Sequence, residues 1–341
     1  MERMQSFVAV LVSIGCVLVV PAHALKLGKS ADGRYFTLDG KPTFLLGISY
    51  YGGAGVSDPA SLKADLDDIA AAGFNWVRVW ATWSHGENVS VVNADGSVRQ
   101  PYMSRLKTLI RECDRRGIVV DVTMTRGESP MPLSRAEHLA CAQTLARELK
   151  PFRNMYFDVA NERDVGDARH VPLEEVGELI GAIKHIDPDR LCTASGVPGS
   201  VEELSAYLGV GRCDFIAPHL GREPTSPAQT EARVREFIGW MEKLGKRVPI
   251  HLQEPFRRDY NRFQPTAKDF YTDAIGAKKG GGAGWCLHNG SSRLSADGRP
   301  HRSFLMSGSE GRLFKQLDGV EGEVVKQIAK RIGGTGIKEK S

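Results

Sequence analysis

A short apolar run, a loop and an amphipathic helical stretch recur in that order along most of this chain of 341 residues. Strands buried on both faces read as continuous apolar runs, and helical connections make neighbouring strands parallel. Eight such units predict an α/β fold closed into a (β/α)₈ TIM barrel, which takes about 250 residues plus insertions. The runs cover residues 43–50, 75–81, 117–124, 154–162, 190–196, 214–220, 248–254 and 283–289.

Cap and turn signals support this fold. Helical stretches such as "LEEVGELIGAIKHI" (173–186) separate the runs, and several begin at Ser, Asp or Pro and end at Gly. The segment "GRYFTLDGKPTF" predicts a short N-terminal β-hairpin with its turn at Asp39-Gly40, closing the bottom of the barrel. An open doubly wound sheet is the alternative, but no GxGxxG follows the first strand.

The ends of the chain differ in kind from its middle. Residues 1–24 combine a charged start, an apolar stretch and a small-residue run, which is typical of a cleavable signal peptide. Residues 25–332 contain no Pro/Ser-rich linker and are expected to form one barrel domain, followed by a disordered tail at 333–341. The mature protein is therefore expected to be secreted or periplasmic, with no membrane contact after signal cleavage.

Composition argues against several classes of partner. The net charge is +4 and the basic residues are scattered, so nothing predicts binding to nucleic acid. After removal of Cys16 with the signal, the remaining cysteines form no CxxC pair, which argues against a zinc site. We expect no metal, no cofactor and a monomer.

Two glutamates stand at strand ends. Side chains at the carboxyl ends of barrel strands line the active site in this fold, and Glu162 ends the fourth run while Glu254 ends the seventh. Two opposed carboxyls can cleave a glycosidic bond, since one protonates the departing oxygen and the other attacks the anomeric carbon or activates water. Two readings stay open: Asn161 and Glu162 could instead begin a helix, and Glu223 or Asp259 could rival Glu254.

Other side chains near strand ends suit substrate binding. An arginine within an apolar strand demands a buried anion, and an exposed aromatic face stacks on sugar rings. Asp121 and Asp158 lie inside strands and are expected to be buried hydrogen-bond partners rather than catalysts. The candidates for substrate binding are Tyr50, Arg78, Asn161, His219 and Trp285.

The strand ends resemble those of a known group of enzymes. "Asn-Glu" closing strand 4, with a glutamate closing strand 7, resembles the retaining (β/α)₈ glycoside hydrolases of the cellulase/mannanase-like group, glycoside hydrolase family 5 and relatives. "LDGKPTFLLGISYYG", "IAAAGFNWVRVW" and "FDVANERD" are similar to its opening, second strand and fourth strand, so the resemblance covers nearly the whole mature chain. Trp285 fits the group's eighth-strand tryptophan beneath the bound sugar.

The resemblance implies a carbohydrate substrate and a role for each residue. Glu162 would be the acid/base and Glu254 the nucleophile, with the carboxyls about 5–5.5 Å apart and the anomeric configuration retained. Asn161 would bind the sugar 2-hydroxyl, Arg78 would hold the nucleophile, and His219 would border the cleavage subsite.

The chain also departs from the group, which predicts a divergent member. Arg163 stands where proline often follows the strand-4 glutamate, and strand 7 continues "LQEPFR". Strand 6 reads "HLGRE", without the tyrosine that often bonds to the nucleophile. Arg222 or a tyrosine from strand 1 is expected to substitute.

Other functions were weighed against these residues. A metal-dependent hydrolase needs clustered His and Asp ligands at strand ends, but the first strand ends "GISYYGG". The expected function is therefore a retaining glycoside hydrolase acting on β-linked oligo- or polysaccharide. A catalytically inactive carbohydrate-binding barrel and a retaining transglycosidase are the alternatives.

Overall fold

A computed structural model describes residues 24–85, 87–125, 134–165, 169–260, 262–291, 295, 298–299, 301–307 and 311–337. Apart from its last residue, the predicted signal peptide lies outside these residues. No helix in the described part of the chain combines the length and apolar character needed to cross a membrane.

Parallel strands form a curled sheet, which confirms the predicted barrel class. The order in the sheet is β8-β7-β6-β5-β4-β10-β9, so the first strand of the barrel pairs with the last. The strands are β4 (Leu45–Ser49), β5 (Trp76–Trp80), β6 (Val119–Thr123), β7 (Met155–Asp158), β8 (Cys192–Thr193), β9 (His251–Leu252) and β10 (Gly284–Leu287).

The predicted strand at 214–220 is reduced to an isolated contact. Ile216 makes a parallel bridge to Ile250, and the Asp214 N–H donates to the Cys192 carbonyl at 2.8 Å. This segment therefore closes the ring between β8 and β9 with few backbone pairs.

Helices connect the strands and pack outside the sheet. Asp58 caps the first helix by accepting from the Ala60 and Ser61 N–H groups, and Ser134 with Glu137 forms a capping box on the third. The helices are α1 (Pro59–Ala71), α2 (Tyr102–Asp114), α3 (Arg135–Leu149), α4 (Leu173–Ile186), α5 (Val201–Leu208), α6 (Ser226–Lys243), α7 (Ala267–Gly280), α8 (Leu313–Gln316) and α9 (Gly319–Arg331), with a 3₁₀ turn at Gly53–Gly55.

The predicted N-terminal hairpin is present and carries an additional strand. β1 (Leu27–Lys29), β2 (Phe36–Leu38) and β3 (Lys41–Thr43) form an antiparallel sheet in that order. Asp39 and Gly40 turn the chain at φ 49° and 79°, the left-handed backbone that a tight hairpin needs. From β2, the Phe36 ring packs edge-on against Phe215 with centroids 5.0 Å apart. The small sheet thereby closes one end of the barrel.

The end of the chain is held against the first barrel strand. The Phe44 N–H donates to the Thr335 carbonyl at 2.8 Å, and Gly336 bridges Thr43. The disordered tail predicted at 333–341 is therefore not found at residues 333–337, which are ordered. Residues 338–341 lie outside the described residues.

The strand pleat divides the core into two layers. Trp76, Tyr156 and Cys286 belong to the cluster inside the barrel, whereas their neighbours in sequence pack between sheet and helices. Because side chains alternate along a strand, a shift of one position moves a residue from one layer to the other. This parity decides which predicted residues reach the barrel mouth.

Candidate active site

A fully buried arginine in β5 connects the ends of neighbouring strands. Arg78 Nε donates to Thr123 Oγ1 at 3.0 Å and lies 3.2 Å from Asp121 Oδ2. Its Nη2 donates to Asp158 Oδ2 at 2.9 Å, and its Nη1 donates to Glu254 Oε1. Asp121 and Asp158 are therefore buried partners of a cation, as predicted, and Arg78 holds the Glu254 carboxylate.

One of these aspartates is not an ordinary anion. Burial raises the pKa of Asp121 to about 8, with Arg78 opposing the rise and Asp158 adding to it. Asp121 therefore contributes less negative charge beside Arg78 than an aspartate with its ordinary pKa would.

Glu254 follows β9 and is surrounded by positively charged and imidazole groups. Besides Arg78, Arg222 Nη2 donates to its Oε2 at 3.1 Å, and His219 Nδ1 and His288 Nε2 lie 3.5 and 3.7 Å from that oxygen. Burial alone raises the pKa of Glu254, but these neighbours hold it well below its usual range. Burial keeps the pKa of His288 well below its ordinary value, whereas both guanidiniums stay charged across the ordinary pH range.

Glu162 follows β7 in a strained backbone conformation. Its φ is +46°, in the left-handed region that costs a non-glycine residue about 1 kcal/mol or more. Its N–H donates to Ser195 Oγ at 2.9 Å, which fixes this turn to the end of β8. The next helix begins only at Leu173 with Pro172 as its cap, so the helix-start reading of Asn161 and Glu162 is wrong.

The side chain of Glu162 faces Glu254. Glu162 Oε1 lies 3.1 Å from His219 Nδ1 and accepts from Arg222 Nη2, also at 3.1 Å. Burial and the negative charge of Glu254 raise the pKa of Glu162, but the hydrogen bond from His219 and the charges of His219 and Arg222 leave it below the ordinary glutamate value.

Arg222 bridges the two carboxylates through a single nitrogen. Its Nη2 donates to both glutamates at the same distance, 3.1 Å. Of the two expected substitutes for the missing strand-6 tyrosine, it is therefore Arg222 that contacts Glu254. Tyr50 donates to Asp65 at 2.8 Å, and Tyr51 donates to the Asn289 carbonyl at 2.8 Å.

Asn161 completes the group of residues gathered around Arg78. Its Oδ1 accepts from Arg78 Nη2 at 2.9 Å and from Ser195 Oγ at 3.3 Å. The structure thus brings five predicted residues together: Arg78, Asn161, Glu162, His219 and Glu254.

Two predicted sugar-binding residues are elsewhere, and this corrects the sequence prediction. Trp285 is fully buried in the layer between sheet and helices, and its Nε1 donates to Asp273 on α7 at 2.6 Å. Tyr50 is also fully buried and bonds to Asp65 on α1. In β10, Cys286 occupies the inward position, so the pleat turns Trp285 toward the helices.

A metal ion is disfavoured by the charges around the carboxylates. One ligand atom each from Glu162, His219 and Glu254 lies within 4.8 Å of the others, close enough to share an ion. However, Arg78 and Arg222 donate to the same carboxylates, so an added cation would face two guanidiniums at contact distance. The arginines themselves supply the positive charge.

Sequence reasoning missed several residues around these carboxylates. Ser195 and His288 carry no sequence signal beyond their places after β8 and β10. A wall of aromatic rings lies beside them, with Tyr51 and Phe304 centroids 4.5 Å apart and Tyr51 and Trp83 centroids 5.0 Å apart. Contacts between loops distant in sequence create this wall, and no local pattern predicts such contacts.

Comparison with known proteins places this geometry in context. Residues 30–205 match the sequence model of the Cellulase (glycosyl hydrolase family 5) family. A search of curated proteins finds no match.

Solved structures share the fold at low identity. A glycoside hydrolase family 5 structure from Bacteroides vulgatus is 19% identical with TM-score 0.62, and the match covers 79% of this chain but only 62% of that one. The family 5 mannosidase of Rhizomucor miehei is 13% identical with TM-score 0.64, covering 90% and 97% of the two chains. The endo-1,4-beta-mannanase from the same organism is 15% identical with TM-score 0.59, covering 89% and 100%. At such identities these structures support the fold alone.

Proposed function

This chain belongs to glycosyl hydrolase family 5, and on that premise we propose that it is a retaining glycoside hydrolase cleaving β-glycosidic bonds with Glu162 as acid/base and Glu254 as nucleophile. The observation that carries the proposal is the separation of the two carboxyls. Their ligand oxygens lie within 4.8 Å of one another. Retaining enzymes have carboxyls about 5–5.5 Å apart, whereas inverting enzymes need about 6.5–9.5 Å to admit a water.

The proposed reaction proceeds in two displacements. Glu254 attacks the anomeric carbon while Glu162 gives its proton to the glycosidic oxygen, and the bond between the anomeric carbon and that oxygen breaks. Glu162, now a carboxylate, takes a proton from water, which attacks the anomeric carbon and releases Glu254. Each displacement inverts the anomeric carbon, so the product keeps the β configuration.

The cations beside the two glutamates support these roles. Glu254 contacts the guanidiniums of both Arg78 and Arg222, whereas Glu162 contacts that of Arg222. A neighbouring cation favours the ionised form of a carboxyl, which suits Glu254 as the nucleophile. Because the two carboxyls interact closely, their two protonation steps are properties of the pair.

Unpartnered polar atoms of His219 and Asn289 also suit a sugar. His219 Nε2 and both polar atoms of the Asn289 side chain are buried without a hydrogen-bond partner among the described residues. Buried polar atoms are normally paired, and sugar hydroxyls supply both donors and acceptors. We assign these two side chains to hydroxyl recognition.

The acid role of Glu162 is tested by varying the leaving group. Glu162→Ala is expected to lower kcat/KM by about 10²–10⁴-fold on aryl β-glycosides with poor leaving groups, the usual contribution of a general acid. The loss should shrink strongly with 2,4-dinitrophenyl glycosides, whose leaving group needs no proton. Steady-state kinetics on both substrate types measure this. The aryl β-glycosides tested should include β-mannosides, because two of the similar structures are a mannosidase and a mannanase. Equal losses on both substrate types would remove Glu162 from the acid role.

Arg222 is expected to set the pH range of activity. A cation favours the ionised form of a neighbouring carboxyl, so removing Arg222 should raise the pKa values of both glutamates. In Arg222→Met, both limbs of the pH profile of kcat/KM should therefore move to higher pH. Within the described part of the chain, the other charged or titratable groups facing the two glutamates include Arg78, His219 and His288.

A matched variant separates this effect from a general change in charge. Arg233 pairs with Glu236 on the exposed face of α6, so Arg233→Met removes one positive charge away from the carboxylates. It should leave both limbs in place. If the limbs of Arg222→Met also stay in place, Arg222 does not control the titration of the pair.

A further inference from the structure

Arg257 is a half-buried cation that has no anionic partner in the part of the chain that the structure describes. It lies in the loop after β9, and its Nη1 forms one hydrogen bond to Tyr51 OH at 3.5 Å and one to His288 Nε2 at 3.4 Å. Its Nε is buried and has no hydrogen-bond partner within the same described residues. Among the described residues, no carboxylate lies within ion-pair distance of this guanidinium, although the other arginines of the barrel mouth, Arg78 and Arg222, have such partners.

An exposed aromatic ring adjoins this cation. Tyr260 is 44% exposed, which is unusual for a large side chain in this protein. The Arg257 guanidinium stacks on its ring at 4.5 Å from the centroid, and the Arg222 guanidinium does so at 4.6 Å. Arg222 is occupied with the two catalytic carboxylates, so Arg257 is the cation that remains available to a ligand.

Arg257 lies at a distance from the proposed nucleophile, Glu254, that is about the width of one sugar ring. His288 Nε2 is 3.4 Å from Arg257 Nη1 and 3.7 Å from Glu254 Oε2. This single nitrogen therefore connects the Arg257 guanidinium to the Glu254 carboxylate. A sugar whose anomeric carbon meets Glu254 could therefore place a ring substituent near Arg257.

We propose that Arg257, with Tyr260, forms a subsite for the carboxylate of an acidic sugar, so that the substrate is a β-linked glycan containing hexuronic acid. This inference rests on the proposed glycosidase function. A partly buried cation without an anionic partner can gain from one, and an incoming carboxylate supplies the missing charge through charge-assisted hydrogen bonds. A guanidinium matches the planar geometry of a carboxylate, and the exposed Tyr260 ring on which Arg257 stacks lies beside it. A neutral sugar would leave Arg257 without its counter-charge.

The experiment compares acidic and neutral substrates in matched pairs. We would measure kcat/KM for 4-nitrophenyl β-D-glucuronide against the β-D-glucoside, and for the β-D-galacturonide against the β-D-galactoside. The wild type is expected to prefer the acidic member of at least one pair. Arg257→Gln should lower kcat/KM for that member by about 10- to 150-fold, the range for a hydrogen bond to a charged group, and lower the neutral member much less. Arg257→Lys, which keeps the charge, should recover part of the loss.

Arg262 provides the matched control within the same loop. It is exposed, so Arg262→Gln makes the same change in net charge without touching the subsite. This variant should keep the wild-type preference. If Arg257→Gln lowers both members of a pair equally, Arg257 acts only on Glu254 and His288, and the acidic subsite is wrong. The proposal also fails if the wild type prefers every neutral member.

Binding separates this inference from the glycosidase proposal itself. Calorimetric titration of D-glucuronate, D-galacturonate and the corresponding neutral sugars needs no turnover. Acid-selective binding that Arg257→Gln abolishes would support the subsite even if no glycoside is cleaved, in which case only the catalytic proposal fails. Cleavage of neutral glycosides without any binding of the acidic sugars would overturn the subsite and leave the catalytic proposal standing.

Discussion

Glu254→Ala is expected to lower kcat/KM by at least about 10⁴-fold on every substrate that the wild type cleaves, because the variant lacks the carboxylate that forms the proposed covalent intermediate. Glu254 lies against Arg78, Arg222 and His219, and the two guanidiniums favour its ionised, nucleophilic form. The measurement is steady-state hydrolysis of aryl β-glycosides by the purified variant.

Azide distinguishes a lost nucleophile from a misfolded protein. In Glu254→Ala, azide can occupy the space of the missing carboxylate and attack the anomeric carbon of an activated aryl β-glycoside. The expected product is the α-glycosyl azide, since a single displacement inverts the anomeric carbon. Glu223 is exposed in the loop before α6, so Glu223→Ala serves as the matched control and should retain nearly full activity. A fully active Glu254→Ala would contradict the assignment.

Arg78→Met is expected to lower the free energy of unfolding at neutral pH by about 3–5 kcal/mol, the usual cost of removing one partner of a buried ion pair. Asp158 and Glu254 would remain buried near neutral pH without the cation that balances them. The pKa of Glu254 should rise at the same time, so the folded fraction should also lose activity. Urea denaturation followed by circular dichroism gives the free energy.

The pH dependence of this loss has a definite sign. In the wild type, the depressed pKa of Glu254 contributes stability above the unfolded-state pKa, and this is lost as pH falls through the folded-state value. In Arg78→Met the uncompensated carboxylates cost stability at neutral pH, and protonation relieves that cost. The gap between wild type and variant should therefore narrow in acid.

Arg190 offers a matched control for the buried charge. It is 3% exposed and pairs with Asp187, away from the catalytic carboxylates. Arg190→Met should also destabilise the protein, but its folded fraction should keep the wild-type pH profile of kcat/KM. If Arg78→Met is as stable as the wild type at neutral pH, the charge balance described around Arg78 is wrong.

The sequence predicts the barrel and its pair of facing carboxylates because both depend on strand order and strand ends. Residues at the tips of parallel strands meet at one end of the barrel whatever their exact register. Glu162 and Glu254 therefore come together as expected, and Arg78 finds the buried anions that an arginine inside a strand requires.

The direction of individual side chains could not be predicted in the same way. In "AGWCLHN", apolar residues occupy both faces of β10. The sequence therefore lacks the alternation of apolar and polar residues that would show which side chains face the barrel interior. Trp285 was consequently expected at the sugar, and instead it bonds to Asp273 on α7. The same parity turns Tyr50 toward Asp65 on α1.

Long side chains from loops carry the least sequence signal. Arg222 reaches two carboxylates and Arg257 reaches His288 because their loops converge over the barrel mouth. Nothing in "HLGRE" or "EPFRRD" predicts which groups the guanidiniums of these long side chains contact. The sequence left open whether Arg222 or a tyrosine from strand 1 contacts Glu254. The structure shows that it is Arg222.

The stereochemistry of the first product tests the central claim most directly. Proton NMR can follow the anomeric signals while the protein without its predicted signal peptide hydrolyses a panel of aryl β-glycosides and β-linked oligosaccharides, including hexuronic acids and mannosides. The account predicts that the β-anomer appears first and the α-anomer only later, by mutarotation. Initial release of the α-anomer, or sugar binding without any cleavage across the panel, would contradict it.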